Sequence, residues 1–484
     1  MVEHVNEVKG TQGARRSAGR ARRDSLSTDT VRAFHDRLDV PLPEGDDSEP
    51  LLAELRALEE LKNAISARQA RLTVAVREHQ RSRDRARDLK SADTERLVGS
   101  QVALARRCSP HLGSRLLDLA HALVDQLPHT LSALQAGVIT EWHATLIARE
   151  TAGLARDQRI AVDELLRDDL GTVSQARLAA LARQHAYHAD PAAIVARRAR
   201  AETGRRVTLR PAPDCIALLT ALLPVTDGLA CYAALTAAAG SDGTDRTRGQ
   251  VMADTLTDRV TGRDAADHSP IGLQVELLMP LDTLTGDTPA HLPGYGPIPA
   301  DLARELVLDA DNTDDAGRPD NPAVDPGTSV GDPPHRPGRK DRLRIRRLFT
   351  YPGTGDLIDM ESRSRAYPGL LAKLIRLRDQ TCRTPWCDAP IAHIDHITPH
   401  TAGGPTSERN GTGLCARCNY AKEHPDLTVT GDAAETITTT GGLSATSRPP
   451  APPGHPPPTT SRMERQLIEL SRRWVAQVKA QESS

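Results

Sequence analysis

Two closely spaced cysteine pairs constrain this chain more than any other feature of its sequence. Four residues separate Cys382 from Cys387, two separate Cys415 from Cys418, and 27 residues lie between the pairs. Thiolate pairs at such short spacings close structural zinc sites, because Zn²⁺ takes four soft ligands tetrahedrally. The cysteines therefore predict a Zn²⁺ site that folds a small module and leaves no open position for chemistry. An Fe–S cluster would accept the same ligands, but nothing else in the sequence indicates redox chemistry.

Composition limits the class of protein. The 484 residues allow roughly two to four domains, and an aromatic content of 2% favours helical cores of Leu, Val, Ile and Ala. The net charge of -2 indicates neither a nucleic acid nor a membrane partner. No apolar run approaches the ~18 residues of a membrane span, and the Arg-rich N-terminus lacks the apolar stretch of a signal peptide. We therefore expect a cytoplasmic protein with no membrane contact.

The N-terminal half of the chain is expected to be helical. From Leu51 onward, apolar residues recur at the spacing of one buried helix face: Leu55, Leu58, Leu61, Ile65, Leu72 and Val76. Further helical patterns follow to about Arg200. Ser109 and Pro110 interrupt two of them, which indicates either a helix-turn-helix that reads DNA or plain helical-hairpin packing.

The middle of the chain changes to a mixed pattern. The segment "RRVTLRPAPD" predicts a strand, "IALLTALLPVTDGLACYAALTAAA" predicts a helix, and "GLQVELLMP" predicts a strand with one buried face. Three isolated cysteines in apolar surroundings are expected to be buried free thiols: Cys108, Cys215 and Cys231.

These patterns predict an α+β multidomain protein. Its predicted segments are a disordered basic tail (1–47), a helical to α+β domain (48–308), a Pro/Gly/Asp-rich linker (309–340), a cysteine-containing module (341–431), a disordered spacer (432–461) and an amphipathic helix (462–484). One apolar stripe on the last helix predicts docking on a domain of this chain or, alternatively, self-association.

The residues between the cysteine pairs form a recognisable motif. It comprises Asp395-His396, Pro399, Gly403-Gly404-Pro405-Thr406-Ser407, Asn410, Leu414, Cys415-x-x-Cys418-Asn419 and Lys422. With this motif the sequence resembles the HNH endonucleases of the zinc-knuckle subtype, which have a ββα-metal core. The helical region and "GYGPIPADLAREL" resemble an actinobacterial domain of unknown function, of the 13E12-repeat type, that is commonly fused to an HNH module. The likeness covers most of the chain from about residue 50 to 431.

The resemblance implies a role for each motif residue. Asp395 and Asn419 would be ligands of a catalytic Mg²⁺ or Mn²⁺, and His396 would be the general base. Asn410 would brace the loop and so orient His396. Phosphodiester hydrolysis needs such a base for the attacking water and a divalent cation for the developing charge. Adjacent residues on an extended segment point to opposite sides, so Asp395 and His396 cannot share one task. His393 departs from the family, since many relatives have an acid there, and it offers a spare ligand.

Several basic residues are candidates for nucleic-acid contact. Arg344, Arg346 and Arg347 lie in "RKDRLRIRR", where Arg side chains suit DNA phosphates, although an ordinary charged strand has the same pattern. Lys422 is expected either to touch phosphate or to be solvated. Three other histidines are expected at the surface or on the phosphate side: His393, His400 and His424. The expected partner is DNA, with RNA as an open alternative.

Two functions are compatible with these observations. The first is a metal-dependent HNH endonuclease that hydrolyses phosphodiester bonds in DNA. The second is a non-catalytic zinc-knuckle module that binds nucleic acid or acts as an adaptor. The complete set of Asp395, His396, Asn410 and Asn419 favours the endonuclease, because a binding module does not require it.

Overall fold

The computed structural model of the protein describes residues 26–42, 47–240, 245–262, 277–280, 283, 285–312, 361–362 and 366–451. Several predicted features lie wholly or partly outside these residues. They are the basic tail over residues 1–25, the linker (309–340) beyond residue 312, the arginines Arg344, Arg346 and Arg347, the spacer over residues 452–461 and the C-terminal helix (462–484). Among the described residues, no helix is both long enough and apolar enough to cross a membrane.

The first part of the chain is helical, as the sequence predicts. Its helices are α1 (Thr28–Asp36), α2 (Glu49–Arg85), α3 (Ser91–Arg106), α4 (Pro110–Gln126), α5 (Pro128–Gln135), α6 (Glu141–Glu150), α7 (Arg156–Leu165), α8 (Gln175–Ala189) and α9 (Pro191–Thr203). The prediction of disorder over residues 1–47 is wrong for α1. There the Ser27 hydroxyl caps the helix by accepting a hydrogen bond from the Thr30 amide at 3.1 Å.

One apolar core joins α2 to α4–α8. Helix α3 packs against α2 and α4, and we call helices α2–α8 together the helical unit. Its largest fully buried side chains include Leu123, Leu127, Leu134, Ile139, Ile147, Leu166 and Leu178. The helical hairpin predicted around Ser109 and Pro110 is present, with the Ser109 hydroxyl capping α4. Gly113 in α4 lies so close to α3 that an added Cβ would be 2.2 Å from the Gly99 carbonyl oxygen. Contact of this hairpin with DNA stays a prediction.

Helix α2 forms, but the sequence assigned the wrong face to the core. Five of the six predicted core residues are exposed: Leu55, Leu58, Ile65, Leu72 and Val76. The buried face is formed instead by Asn63, Ala67, Ala70, Gln80 and Asp84. Small alanines let α2 approach its neighbours closely, and the Asn63 amide donates to the Gly137 carbonyl at 3.2 Å. Buried polar groups are tolerated where such partners exist, which periodicity alone does not reveal.

The middle of the chain mixes short sheets and helices. Its elements are β1 (Arg206–Ala212), β2 (Ile216–Leu222), α10 (Val225–Gly240), α11 (Arg248–Thr261), β3 (Ala290–Leu292), β4 (Gly296–Ile298) and α12 (Ala300–Asn312). The strand predicted in "RRVTLRPAPD" is confirmed as β1. The prediction of helix across residues 216–222 is wrong, because this short apolar run pairs with β1 in an antiparallel hairpin from Arg206↔Leu222 to Ala212↔Ile216.

Two other predictions for this region concern the strand in "GLQVELLMP" and the burial of the isolated cysteines. Of "GLQVELLMP", residues 277–280 are described, and Leu278 forms an antiparallel bridge with His291. The prediction of buried thiols is wrong for Cys215 and Cys231, which are exposed, and Cys108 is half-buried. The apolar neighbours that suggested burial are themselves exposed on β2 and α10.

The C-terminal part contains the predicted ββα arrangement. Its elements are β5 (Glu361–Ser362), α13 (Gly369–Asp379), β6 (His393–His396), β7 (Thr406–Ser407), β8 (Gly411–Leu414), α14 (Ala416–Lys422), β9 (Leu427–Gly431), β10 (Thr436–Thr440) and β11 (Leu443–Ser447). Strands β6 and β8 pair antiparallel, β5 pairs with β7, and β10 lies between β9 and β11. We call residues 366–451 the C-terminal unit. The α+β class is confirmed.

The disordered spacer predicted over residues 432–461 is wrong for its first part. Residues 436–440 and 443–447 form β10 and β11, where β-branched threonines favour strand structure. Arg383 lies in the loop after α13 and connects that loop to β11, because its guanidinium donates a hydrogen bond to the Ser447 carbonyl at 2.9 Å. The sheet therefore belongs to the C-terminal unit.

The close approach of α3 and α4 leads to a stability prediction. Gly113→Ala places a methyl group against the α3 backbone, so we expect the free energy of unfolding to fall by about 1–3 kcal/mol. Gly228→Ala is the matched control, since Gly228 is likewise the fourth residue of its helix but has no atom within 4 Å of an added Cβ. We expect that control to gain about 0.5–1 kcal/mol. Urea unfolding followed by circular dichroism measures both, and equal effects of the two variants would contradict the proposed crowding.

Candidate functional site

The candidate site is built on β6, β8 and α14. The antiparallel register pairs His393 with Leu414 and His396 with Gly411, so the Asp395-His396 pair occupies the end of β6. Helix α14 follows β8 after one residue, Cys415, whose sulfur caps the helix by accepting from the Cys418 amide at 3.4 Å. Asn419 lies within the helix, directly after Cys418. The strand ends and α14 thus meet beside the cysteines.

The four clustered cysteines have the geometry of a metal site. Their sulfur atoms all lie within 4.8 Å of one another, and Cys387 Sγ is 3.9 Å from Cys415 Sγ and 3.8 Å from Cys418 Sγ. A tetrahedral ion with metal–sulfur bonds of about 2.3 Å has edges of about 3.8 Å, whereas a disulfide bond measures about 2.05 Å. Hydrogen bonds from the Cys382, Cys387 and Cys418 thiols hold the pKa of Cys415 far below its usual range. The residues present therefore fit a tetrahedral metal ion.

Backbone hydrogen bonds bring the two cysteine pairs together. The Cys382 amide donates to the Ala389 carbonyl at 2.9 Å, which closes the loop between the first two cysteines. The next amide, that of Arg383, donates to the Gly413 carbonyl in β8 at 2.9 Å. The first pair is thereby fixed to the strand that leads into the second pair.

Asp395 forms an ion pair with Lys422 of α14. Lys422 Nζ donates to Asp395 Oδ2 at 2.7 Å and also to the His396 carbonyl oxygen. The Lys422 side chain is only 11% exposed. The alternative of a solvated Lys422 is therefore wrong, because the last turn of α14 directs the ammonium group onto the end of β6.

His396 is enclosed by side chains from three segments. It is 8% exposed, and its Nε2 forms a hydrogen bond with the Thr406 hydroxyl at 2.9 Å. The Tyr367 ring lies 4.7 Å from the imidazole and the His400 ring 5.7 Å from it, measured between centroids. Burial raises the pKa of Tyr367, and the nearby charge of Asp395 adds to this effect. The imidazole thus has a fixed orientation beside a neutral phenol.

Asn410 braces the loop that follows His396. Its Nδ2 donates to the Thr398 carbonyl at 3.0 Å and to the Pro405 carbonyl at 2.8 Å, while its Oδ1 accepts from the Thr398 amide at 2.8 Å. Gly404 lies against the same side chain, since an added Cβ would be 2.7 Å from Asn410 Nδ2. One amide therefore holds both ends of the loop.

Asn419 presents an acceptor whose hydrogen-bonding capacity is unused. Its Oδ1 is buried and has no hydrogen-bond partner among the described residues. An unsatisfied buried oxygen is costly unless a ligand, water or ion completes it. Asn419 and Lys422 are three residues apart on α14, so they lie on the same side of the helix. The oxygen is therefore chemically suited to coordinate a cation.

A buried ionic network supports the loop from behind. Arg378, whose side chain is 10% exposed, donates to the Glu408 carbonyl at 2.8 Å and to the Gly411 carbonyl at 2.7 Å. Asp379 accepts from Arg378, from Arg383 and from the Gly413 amide. The charge of Arg378 is therefore used inside the C-terminal unit.

The remaining histidines differ in their surroundings. His400 is exposed, whereas His393 is half-buried with its ring 6.1 Å from that of Tyr420. The expectation that His424 lies at the surface is wrong, because it is 4% exposed and bonds to Asp84 of α2. No local sequence signal identifies that partner, which is 340 residues away.

The structure brings together most of the predicted site residues. Those it places around the ββα arrangement are Asp395, His396, Asn410, Asn419, Lys422, Cys382, Cys387, Cys415 and Cys418. The contacts of Thr406, Tyr367 and Arg378 were missed by the sequence reasoning. Thr406 belongs to the HNH-like motif, which is the one sequence signal that could have identified it. Tyr367 and Arg378 precede the first cysteine and lie outside that motif.

Comparison with known families identifies two regions of the chain. A family model described as "Domain of unknown function (DUF222)" matches residues 52–326, which is more than half of the chain. A model described as "HNH endonuclease" matches residues 380–424. The resemblance to a domain of unknown function followed by an HNH endonuclease domain is therefore confirmed. No curated protein and no solved structure gives a significant match.

The cysteine geometry leads to a prediction about metal content. We expect the purified protein to retain about one metal ion per chain after treatment with EDTA, because four thiolates enclose the ion. Cys418→Ser removes one ligand and should lose the ion, whereas Cys231→Ser changes an exposed thiol and should retain it. Inductively coupled plasma mass spectrometry gives the metal-to-protein ratio. A wild-type protein free of metal, or equal ratios in the two variants, would refute the assignment.

Proposed function

Because the chain belongs to the DUF222 family and carries an HNH endonuclease domain, we propose that it is a metal-dependent endonuclease that hydrolyses phosphodiester bonds in DNA. The observation that carries the proposal is the convergence of Asp395, His396 and Lys422 at the end of β6, with the loop beside them braced by Asn410. Such a constellation supplies a base, a carboxylate ligand and a cation within one small region.

The cysteine cluster acts in this proposal as a structural zinc site. Zinc is the ion that four thiolates at this spacing favour, and a closed tetrahedral shell leaves no position for substrate. The site would hold Cys415 and Cys418 at the start of α14, so the zinc fixes the helix that carries Asn419 and Lys422. Thiolate ligands must stay reduced, and we therefore propose the cytoplasm as the compartment where the protein works.

Two oxygen donors fit a second, catalytic ion. The unpartnered Asn419 Oδ1 and the Asp395 carboxylate are hard ligands of the kind that Mg²⁺ and Mn²⁺ prefer. When bound, such an ion stabilises negative charge on the phosphorane and on the leaving oxygen. Asp395 already holds one cation, the Lys422 ammonium. That contact supports the capacity of this carboxylate to bind positive charge.

His396 acts as the general base in the proposed reaction. Its imidazole takes a proton from the attacking water, a role for which a group with a pKa near neutrality is suited. Thr406 holds the ring through Nε2, and Asn410 holds the loop that starts two residues later. Lys422 stays close to the reacting phosphate, where its charge offsets that of the phosphorane. The positions of these groups, rather than any large movement, would provide catalysis.

The DNA contact is proposed on the family resemblance and on the three arginines of the basic segment "RKDRLRIRR". Arg344, Arg346 and Arg347 would neutralise backbone phosphates, a contact that depends on salt and hardly on sequence. RNA is the alternative substrate, and parallel assays on single-stranded RNA and duplex DNA distinguish the two. The second candidate function is a zinc-knuckle module that binds nucleic acid without cleaving it. The unpartnered Asn419 Oδ1 favours the endonuclease, because binding alone does not require that oxygen.

The first functional prediction concerns His396. We expect the wild-type protein with Mg²⁺ or Mn²⁺ to nick supercoiled plasmid, and His396→Ala to lower kcat by about 100- to 10,000-fold because the general base is lost. Gel electrophoresis of the plasmid forms measures the rate. His188→Ala is the control, since His188 is an exposed histidine of α8.

Three outcomes of that assay separate the candidate functions. Loss of nicking in His396→Ala alone supports the endonuclease. Equal nicking by the wild-type protein and His396→Ala rejects His396 as the base and indicates a contaminating nuclease. Plasmid binding without nicking by the wild-type protein, seen as a gel shift, supports the binding module instead.

The second functional prediction concerns Thr406. Thr406→Val removes the hydroxyl that bonds to His396 while keeping the shape of the side chain, so we expect kcat to fall by about 5- to 10-fold with little change in KM. Thr406→Ser keeps a hydroxyl group and should retain most of the activity. An unchanged kcat in Thr406→Val would show that this hydrogen bond does not orient the base.

A further inference from the structure

Helix α14 is held from its other side by the helical unit. Leu97 of α3 forms an apolar cluster with Ala421 of α14 and Leu427 of β9, and all three are buried. The contact joins the region matched by the DUF222 model to the region matched by the HNH model. Two polar anchors, one at each end of α14, flank this apolar centre.

The first anchor is a buried pair between His424 and Asp84. Each side chain is 1% exposed, and His424 Nε2 lies 3.2 Å from Asp84 Oδ2. His424 Nδ1 accepts from the Asp426 amide at 3.1 Å, so that nitrogen carries no proton. The imidazole is therefore neutral, and its Nε2–H donates to the Asp84 carboxylate.

Residues around this pair extend the first anchor. Gln80 donates from Nε2 to Asp84 and to Asp426, each at 2.8 Å. Arg87 Nη1 donates to Asp426 Oδ1 at 2.9 Å. The end of α2 therefore contacts the residues that follow α14 through several hydrogen bonds, and most of these groups are shielded from water.

The second anchor is Arg417, which lies between Cys415 and Cys418. Its Nη2 donates to the Ser114 hydroxyl at 2.6 Å and to the Arg96 carbonyl at 3.4 Å. Gly99 leaves room for this guanidinium, since an added Cβ would lie 2.7 Å from Nη2. The α3–α4 hairpin thus forms a socket for a side chain of the cysteine motif.

We infer that the helical unit is a positioning element of the C-terminal site, acting through the Asp84–His424 pair and the Arg417 socket on α14. The inference rests on the proposed function for its catalytic consequence. Its structural part does not, because α14 carries Asn419 and Lys422 toward Asp395 whether or not the site is active. In the described part of the chain, Asp84 and His424 bond to each other and Arg417 bonds to the α3–α4 hairpin, so these residues act by holding the helix.

The test compares variants of Asp84 in the full chain. Asp84→Ala leaves the buried Nε2–H of His424 without an acceptor, and we expect hydrogen exchange of the α14 amides to rise at least tenfold. We expect kcat for plasmid nicking to fall about tenfold or more, with little change in KM. Asp84→Asn keeps one acceptor oxygen for His424 while its amide nitrogen faces the Gln80 donor, so it should rescue both readouts in part. Asp157→Ala, an exposed aspartate of the helical unit, is the matched control.

A second variant tests the inference where Asp84→Ala fails to fold. Gly99→Ala places a methyl group 2.6 Å from Ser114 Oγ and 2.7 Å from Arg417 Nη2, so it disrupts the bond between these two side chains. It should raise α14 exchange, while circular dichroism verifies that the helices persist. Unchanged exchange in both folded variants would overturn the inference. Raised exchange with unchanged kcat would also overturn it, because the contact would then be structural only.

The same experiment separates this inference from the proposed function. If the wild-type protein does not nick nucleic acid, the endonuclease proposal fails and exchange alone decides whether the helical unit holds α14. If the wild-type protein nicks and the Asp84 and Gly99 variants match it in both readouts, the endonuclease proposal stands and the positioning role fails.

Discussion

The convergence of four sulfur atoms within 4.8 Å is the constraint on which the candidate site depends. The first two thiols come from the loop after α13 and the other two from the start of α14. The chain between them runs through β6, a braced loop and β8, so the meeting of the thiols constrains the path of these elements. A bound cation would offset the repulsion among four crowded thiolates and supply several strong bonds. A module of this size contains few large apolar side chains. The cluster therefore takes the place that a hydrophobic core has in the helical unit.

Buried polar contacts hold the loop and the strand that lie between the two cysteine pairs. Asn410 spans the loop after His396, and Arg378 and Asp379 hold the backbone of β8 from the opposite side. Buried charges are tolerated only when their partners are in place, so these side chains define one loop conformation rather than several. Among the described residues of this unit, the large apolar side chains that are fully buried are Leu371, Ile375 and Ile397. Specificity in this unit comes mainly from hydrogen bonds.

Features with a local chemical cause could be predicted from the sequence, and features decided by distant partners could not. Cysteine spacing predicts the cluster, and the motif predicts the bracing loop, because the relevant atoms lie within about 40 residues of one another. The buried face of α2 was missed because Asn63, Gln80 and Asp84 find partners far along the chain. Strand β2 was missed because a short apolar run suits both a helix and a hairpin. His424 looks like a surface residue until Asp84 is placed beside it.

The length of α14 explains why distant partners matter for this site. A helix of seven residues is unstable on its own, since nucleation costs more than so few backbone hydrogen bonds return. Its position must therefore come from side-chain contacts at both ends. Cys415 and Cys418 fix the first turn, while Arg417 and the adjoining His424 attach to the helical unit. Helix α14, which contacts of both units hold in place, positions Lys422 beside Asp395. This shared support gives a physical reason for the two regions to belong to one chain.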